Sequence, residues 1–201
     1  MSIRPVIPQN NFTEMGRENI AAVMSNLGQP AYRVAQIYKW VFKRGARSFK
    51  EMTDLPGALR ESLAAQYTLG RCELERVVES VDGTRKLVIR LDDGGAIESV
   101  LIPMEEGRFT QCISSQLGCA LDCKFCYTGS LGLSRHLSSG EIVDQVILGR
   151  GALPAGARVT HLVYMGMGEP LHNLDAVVSS LGPICDADGL DFTHRRVTVS
   201  T

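Results

Sequence analysis

The sequence predicts an α/β protein built from three successive segments, and two observations indicate this. The spacing of hydrophobic residues fits short helices over residues 1–70, alternates with period two over 71–104, and indicates alternating strands and helices over 105–201. The charge changes as well, from +4 in the first segment to −3 over residues 71–110 and −2 over 111–201. We therefore expect a helical accessory domain, a β meander and an α/β core.

The composition excludes several classes of protein. With 21 Lys and Arg against 22 Asp and Glu, the net charge of −1 argues against a wholly basic nucleic-acid coat and against an acidic disordered tail. No apolar run approaches the roughly 18–20 residues that span a bilayer, and the N-terminus lacks the pattern of a secretory signal. We expect a cytoplasmic protein with no membrane partner, whose six cysteines stay reduced for metal binding or catalysis.

The first segment is predicted to contain helices over 19–27, over 31–44 and from Pro56 to about Tyr67, because glycine or proline follows or opens each hydrophobic pattern. Ser48 and Glu51 have the spacing of a capping box.

The stretch from Asn19 to Lys50 contains no acidic residue and combines positive charge with aromatic rings. Cations neutralise phosphates and rings stack on bases, so this composition is typical of an RNA-binding surface. The alternative is a helical core with a solvated basic face. The residues are Arg33, Lys39, Lys43, Arg44, Arg47 and Lys50, with Tyr32, Tyr38, Trp40, Phe42 and Phe49.

The second segment predicts three antiparallel strands over 73–79, 84–91 and 96–102, because Asp-Gly and glycine-rich turns separate alternating runs.

The third segment predicts a parallel sheet or barrel, since strands alternate with helices. The second predicted helix contains Gly182-Pro183, where we expect a kink or break. The predicted elements are strands over 109–114, 159–165 and 196–200 and helices over 139–148 and 173–187.

Three cysteines with C-x3-C-x2-C spacing, Cys119, Cys123 and Cys126, follow the first of these strands. Three thiolates on one loop can bind one metal centre, and thiolates favour zinc, copper(I) or iron–sulfur clusters. A structural zinc site normally has four protein ligands, whereas three ligands leave one iron of a four-iron cluster open. A fourth ligand from Cys112 or His136 would instead give a structural zinc loop.

A second motif, MGMGEP over residues 165–170, follows the next predicted strand. Its glycines allow close approach of a ligand to the backbone, and Glu169 can pair with an ammonium group. Enzymes with barrels or open sheets have their sites at this end of the strands, and Ser200 ends the following strand. An ordinary strand-to-helix turn is the alternative.

The cysteine spacing, with Phe125 before the last cysteine, resembles the signature of the radical S-adenosylmethionine (SAM) superfamily. In that superfamily the loop follows the first strand of a partial (βα)6 barrel. Longer runs resemble the RlmN/Cfr family of RNA adenine methyltransferases, and the RlmN type most of all. These runs are Gln36–Trp40, Phe49–Leu55, Ile97–Pro103, Gln111–Cys126, Tyr164–Leu171 and Arg195–Thr201.

The resemblance implies both a fold and a set of ligands. The fold would be the N-terminal part of a radical SAM partial (βα)6 barrel, preceded by a small helical domain and an antiparallel β meander. A [4Fe-4S] cluster would bind to the three cysteines of the loop, and S-adenosyl-L-methionine would contact Gly168, Glu169 and Ser200.

The resemblance also implies methylation of adenine C2 in 23S rRNA and tRNA, with an electron donor such as flavodoxin or ferredoxin. In the family, one SAM methylates a cysteine near the C-terminus, and a 5′-deoxyadenosyl radical formed from a second SAM activates that methyl group. Cys112 would then attack the cross-linked thioether and form a disulfide, and Glu98 would accept a proton. A small core residue on a strand is the alternative for Cys112.

One feature of the family is not matched in this sequence, the cysteine near the C-terminus that carries the methyl group. Only Cys185 follows the cysteine loop, and its position on a predicted helix matches nothing in the family's mechanism. We therefore expect an N-terminal portion of such an enzyme, incomplete for catalysis. Two alternatives stay open, a Cfr-like enzyme that methylates adenine C8 and a zinc-stabilised RNA-binding module without catalysis.

Overall fold

The computed structural model describes residues 10–70, 72–121 and 123–201. Within them a six-stranded sheet has the strand order β1-β2-β3-β4-β7-β8, and β5 pairs with β6 in a separate ribbon. The strands are β1 (Glu73–Glu79), β2 (Arg85–Arg90), β3 (Ala96–Pro103), β4 (Arg108–Cys112), β5 (Gln116–Gly118), β6 (Leu133–His136), β7 (Arg158–Tyr164) and β8 (Val197–Val199). The helices are α1 (Arg17–Asn26), α2 (Tyr32–Tyr38), α3 (Gly57–Gln66), α4 (Tyr127–Ser130), α5 (Ser139–Gly151) and α6 (Leu174–Cys185).

The predicted lack of a secretory signal concerns residues 1–9, which lie outside the described ranges. In the part of the chain that the structure describes, no helix is both long and apolar enough to span a bilayer.

Residues 10–70 form the predicted helical unit, whose helices pack around Phe12. The Phe12 ring is fully buried and meets Phe49 and Tyr67 edge to face, with centroid distances of 5.3 and 4.9 Å. The predicted helix over 31–44 is confirmed as α2 and a π-helical turn, which ends before Gly45. Gly45 has φ 63°, a left-handed conformation that favours glycine after a helix.

The predicted capping box is not formed. The Glu51 carboxylate accepts hydrogen bonds from the Ser48 hydroxyl at 3.0 Å and from the Arg47 N–H at 3.1 Å. The Ser48 oxygen itself accepts no capping bond, and a short 3-10 turn, Phe49–Glu51, follows in place of an α-helix. The helix α3 begins later, directly after Pro56.

The predicted meander is confirmed, and it forms one side of the main sheet. β1, β2 and β3 pair antiparallel through the two predicted turns. β3 also pairs antiparallel with β4, the first strand of the third segment. The second and third segments therefore share one continuous sheet.

The strands β4, β7 and β8 run parallel, with α5 and α6 between them in the chain. Along β4 the residues alternate between two environments. Phe109 and Gln111 are buried, and the Gln111 side chain donates to the Gln145 carbonyl of α5 at 2.6 Å. Thr110 and Cys112 lie on the opposite side, which we call the open face of the sheet because its side chains are half-buried or exposed.

Two elements differ from the sequence-based expectation. The β5–β6 ribbon was not predicted; it closes the base of the cysteine loop. At Gly182-Pro183 the helix is not broken, because α6 continues to Cys185, and the predicted kink stays a prediction. Pro183 lies two residues before the end of this helix, so the missing N–H removes one hydrogen bond of the last turn only.

The helical unit is attached to both helices of the core. The Glu14 carboxylate accepts hydrogen bonds from the Ser138 and Ser139 hydroxyls and the Gly140 N–H at 2.5, 2.9 and 2.8 Å, at the N-terminus of α5. Near the end of α6, Arg17 forms ion pairs of 2.7 Å with Asp186 and Asp188, and Lys39 forms one of 3.2 Å with Asp188. Two sets of polar contacts therefore fix the unit beside the sheet.

Glu14→Ala tests the attachment to α5. We expect a loss of about 1–2 kcal/mol in the free energy of unfolding at acidic pH, because three buried or half-buried donors lose their acceptor. Burial raises the pKa of Glu14 above its ordinary value of 4.5. The folded state therefore holds the proton more tightly than the unfolded state, and the advantage of the wild type shrinks as the pH rises through the raised pKa. Urea unfolding of both proteins at about pH 4 and pH 7 measures this difference. If the stability difference between the wild type and the Glu14→Ala variant grew as the pH rose, the predicted pH dependence would be wrong.

Candidate active site

Cys112 lies at the end of β4 on the open face of the sheet. It pairs in register with Val100 of β3 and Val163 of β7, and Val163 pairs with Thr198 of β8. Directly opposed residues point to the same side of a sheet, so this row crosses the open face. Burial raises the pKa of the Cys112 thiol, and a hydrogen bond from the Met165 N–H opposes that effect.

Glu98 is on the same face, two residues before Val100 on β3. Its carboxylate is exposed and lies 2.9 Å from the ammonium of Lys86 on β2. The structure therefore brings the predicted proton acceptor and the predicted reactive thiol to one side of one sheet. Sequence analysis did not identify Lys86; the signal available was a lone lysine on an alternating strand.

The predicted glycine–glutamate motif forms the loop that leaves β7. Glu169 is buried, and its Oε1 accepts a hydrogen bond from the Leu171 N–H at 3.0 Å, which caps the 3-10 turn Pro170–Asn173. Gly168 has φ 99°, and a Cβ there would lie 2.5 Å from the Cβ of Gln116. Both its conformation and this close approach require glycine.

Ser200 is exposed directly after β8. Val199 of β8 pairs in parallel register with Tyr164, the last residue of β7. Ser200 therefore lies at the same edge of the sheet as the residue that follows Tyr164. The carboxyl ends of β4, β7 and β8 therefore bring Cys112, the glycine–glutamate loop and Ser200 to one edge.

The three predicted ligands, Cys119, Cys123 and Cys126, lie between β5 and α4 and are all partly exposed. The ribbon closes this loop through the Cys119 N–H, which donates to the Gly132 carbonyl at 3.1 Å. Gly118, with φ 79°, is required there because a Cβ would overlap the same carbonyl oxygen.

The donor chemistry of this loop fits a thiolate-bound cluster. The N–H of Gly129 and then the N–H and hydroxyl of Thr128 lower the pKa of the Cys126 thiol, which favours the ligating form. In the described part of the chain, no three His, Cys, Asp or Glu side chains converge on one metal position. The fit therefore rests on the donor types and their exposure.

The predicted RNA-binding stretch divides between core and surface. The rings of Tyr38, Phe42 and Phe49 are buried. Lys39 and Lys43 pair with Asp188 and Asp191 of the loop after α6, at 3.2 and 3.8 Å.

A smaller basic and aromatic surface is left in this stretch. The Arg44 guanidinium lies 4.1 Å from the centroid of Trp40, and Arg33 lies 4.9 Å from that of Tyr32, which is 58% exposed.

Comparison with known proteins agrees with this geometry. Residues 10–69 match the family described as "Ribosomal RNA large subunit methyltransferase N-terminal domain". The chain is 51% identical to the dual-specificity RNA methyltransferase RlmN of Geobacter sulfurreducens, over 87% of this chain and 47% of that protein. It is 45% identical to the RlmN of Syntrophotalea carbinolica, over 97% of this chain and 51% of that protein. The solved structure of a radical SAM methyltransferase from Sphaerobacter thermophilus matches with a TM-score of 0.83 and 36% identity, over 95% of this chain and 56% of that one.

These matches relate the chain to proteins of the radical SAM methyltransferase class. Within that class, the chain belongs to the RlmN family. It spans about half the length of the curated relatives that it matches.

Gly168→Ala tests the geometry of the glycine–glutamate loop. We expect the free energy of unfolding to fall by about 2 kcal/mol or more, because alanine is strained at φ 99° and overlaps Gln116. Gly151→Ala is the control, since it adds a methyl group at the end of α5 with no atom within 4 Å, and we expect a gain of at most about 1 kcal/mol. Urea denaturation measures both variants, and equal stabilities would show that the loop does not hold this conformation.

Proposed function

We propose that the chain supplies the cluster loop, the SAM-binding loop and a reactive cysteine of a radical SAM enzyme that methylates adenine C2 in 23S rRNA and tRNA. The observation that carries the proposal is the position of Cys112 on the open face, at the strand end from which the loop with Gly168 and Glu169 also leaves. Glu98 lies on the same face. A thiol, a carboxylate and the glycine–glutamate loop thus border one region of the sheet.

In this proposal, Cys119, Cys123 and Cys126 hold a [4Fe-4S] cluster, and Gly168, Glu169 and Ser200 contact SAM. When bound, the cluster supplies the electron that cleaves SAM and starts radical chemistry. Glu169 is suited to the SAM ammonium because its carboxylate is buried and already oriented by the Leu171 N–H. These positions come from the match to the family's motifs and are consistent with the placement of the loop.

A radical route agrees with the chemistry of the substrate. Adenine C2 is not nucleophilic, so a polar methyl transfer from SAM to this carbon would fail. Glu98 accepts the proton that the ring loses, and the Lys86 ammonium balances the charge of its carboxylate before that step.

The Cys112 thiolate, which the Met165 N–H stabilises, would attack the sulfur of the methyl-carrying cysteine. An S–S bond forms while the bond from that sulfur to the methylene carbon breaks, and the carbon takes the electron pair and a proton to become the methyl group of the product. Cys185 is unsuited as the second sulfur, because α6 packs with α5 on the other face of the sheet.

The partners follow from the same assignment. The exposed Tyr32 ring, the half-buried Trp40 ring and their guanidinium groups form a surface suited to RNA. Lys39 and Lys43 are engaged in ion pairs. The reduction of the cluster requires an electron donor such as flavodoxin or ferredoxin, and the proposed place of action is the cytoplasm.

Anaerobic reconstitution with iron and sulfide tests the cluster ligands. We expect the wild type to bind about four iron atoms with brown visible absorbance, because three thiolates are available on one loop. Single alanine variants of Cys119, Cys123 and Cys126 should lose most of this iron, whereas Cys185→Ala, a partly buried thiol on α6, should retain it. Iron and zinc contents are measured together. A colourless wild type that holds one zinc ion would favour the zinc-stabilised RNA-binding module.

Glu169→Gln tests the SAM site. We expect the dissociation constant for SAM to rise about tenfold in the reconstituted protein, because the amide removes the charge that pairs with the ammonium group. Equilibrium dialysis measures binding, and formation of 5′-deoxyadenosine under reductant shows cleavage. Mass spectrometry of adenosine modified by a full-length version of the protein distinguishes methylation at C2 from methylation at C8. An unchanged SAM affinity in this variant would show that Glu169 does not bind the ammonium group of SAM.

A further inference from the structure

We propose that Ser114 and Gln116 are positioning residues that clamp the SAM-binding loop to the strands carrying Glu98 and Cys112. This inference rests on the proposed function, since it concerns the same loop. Neither side chain belongs to the predicted ligands or reacting groups. Both lie between Cys112 and the cysteine loop, in a polar run that is buried throughout.

The hydroxyl of Ser114 joins two parts of the site. It donates to the main-chain carbonyl of Glu98 at 2.6 Å and accepts from the N–H of Met167 at 2.8 Å. Ser114 is fully buried, so water cannot replace either bond. A shift of the loop relative to β3 therefore breaks at least one of them.

Gln116 holds the second half of the loop. The side-chain oxygen of Gln116 accepts a hydrogen bond from the Glu169 N–H at 2.9 Å. The backbone N–H of Gln116 donates to the Met167 carbonyl at 3.1 Å. The side-chain nitrogen lies 2.9 Å from Nδ1 of His136 on β6, which fixes the orientation of the carboxamide. Gly168 allows this contact, because any larger residue would meet Gln116.

The main chain of Ser114 is itself held by a side chain of α5. The buried Gln145 carboxamide accepts from the Ser114 N–H at 2.7 Å and donates to the Ser114 carbonyl at 2.9 Å. Both main-chain groups of Ser114 are thus held by one side chain. The hydroxyl is left to bridge Glu98 and Met167 from a rigid position.

The expected consequence is an effect on ligand affinity. A loop that is already ordered loses little conformational freedom when it binds SAM. Removal of the Ser114 hydroxyl leaves the Met167 N–H without its acceptor and weakens the attachment of the loop that carries Glu169. The carboxylate of Glu169 is then presented to SAM in more than one position.

The test compares Ser114→Ala with Ser115→Ala in the reconstituted protein. Ser115 is a matched control, because it is adjacent and buried, and in the described part of the chain its hydroxyl has no hydrogen-bond partner. We expect S114A to raise the dissociation constant for SAM about tenfold and to speed hydrogen–deuterium exchange of the Met167 amide, and S115A to change neither. Gln116→Met is the second variant, expected to speed exchange of the Glu169 amide.

The outcomes separate this inference from the proposed function. If the wild type does not bind SAM, the proposed function fails, whereas the exchange measurements without SAM still decide the clamp. If the wild type binds SAM and S114A behaves like S115A in both affinity and exchange, the clamp is overturned. A lower thermal stability of S114A with unchanged SAM affinity shows a merely structural role and also overturns it. Should S114A fail to fold, Q116M decides by the same two measurements.

Discussion

The contact between Gln145 and the main chain of Ser114 is the interaction on which the arrangement of the site depends. After β4 the chain must leave the sheet, and a buried backbone that leaves a sheet needs new hydrogen-bond partners. Gln145, fully buried on α5, satisfies the N–H and the carbonyl of Ser114 together. The turn that follows β4 is thereby fixed, and with it the start of the ribbon that carries the cysteine loop.

This polar layer continues beneath the helix. Gln111 donates both to the carbonyl of Gln145 and to the hydroxyl of Ser99, so β3, β4 and α5 are joined by amide and hydroxyl groups inside an otherwise apolar core. The close approach of α5 to β4 is possible because Gly149 faces Gln111, where a Cβ would overlap the carboxamide. A buried polar network costs free energy unless its members are paired, and it permits fewer alternative packings than an apolar contact. The network therefore defines one orientation of α5 on the sheet.

Features of the fold that depend on local sequence could be predicted, whereas those that depend on distant contacts could not. Strand alternation and Asp-Gly turns are local signals, and they predicted β1, β2 and β3 to within one residue at each end. The β5–β6 ribbon has no such signal, because its strands of three and four residues are defined only by pairing across the cysteine loop. The role of Lys39 was also hidden, since its partner Asp188 is distant in the sequence. Motif spacing identified the candidate ligands, but Ser114 and Gln116 acquire their roles through contacts with residues about 50 positions away.

The environments of the cysteines support a division of roles that spacing alone cannot establish. Cys126 is partly exposed, and backbone N–H groups lower the pKa of its thiol, which suits a residue that binds metal as a thiolate. Burial raises the pKa of Cys72 and Cys185, which suits inert packing. Cys112 combines both influences, since burial protects the thiol while the Met165 N–H is positioned to stabilise its thiolate. That N–H belongs to the first residue of the glycine–glutamate loop. In the proposed function, the reactivity of Cys112 is therefore linked to the position of the loop that would contact SAM.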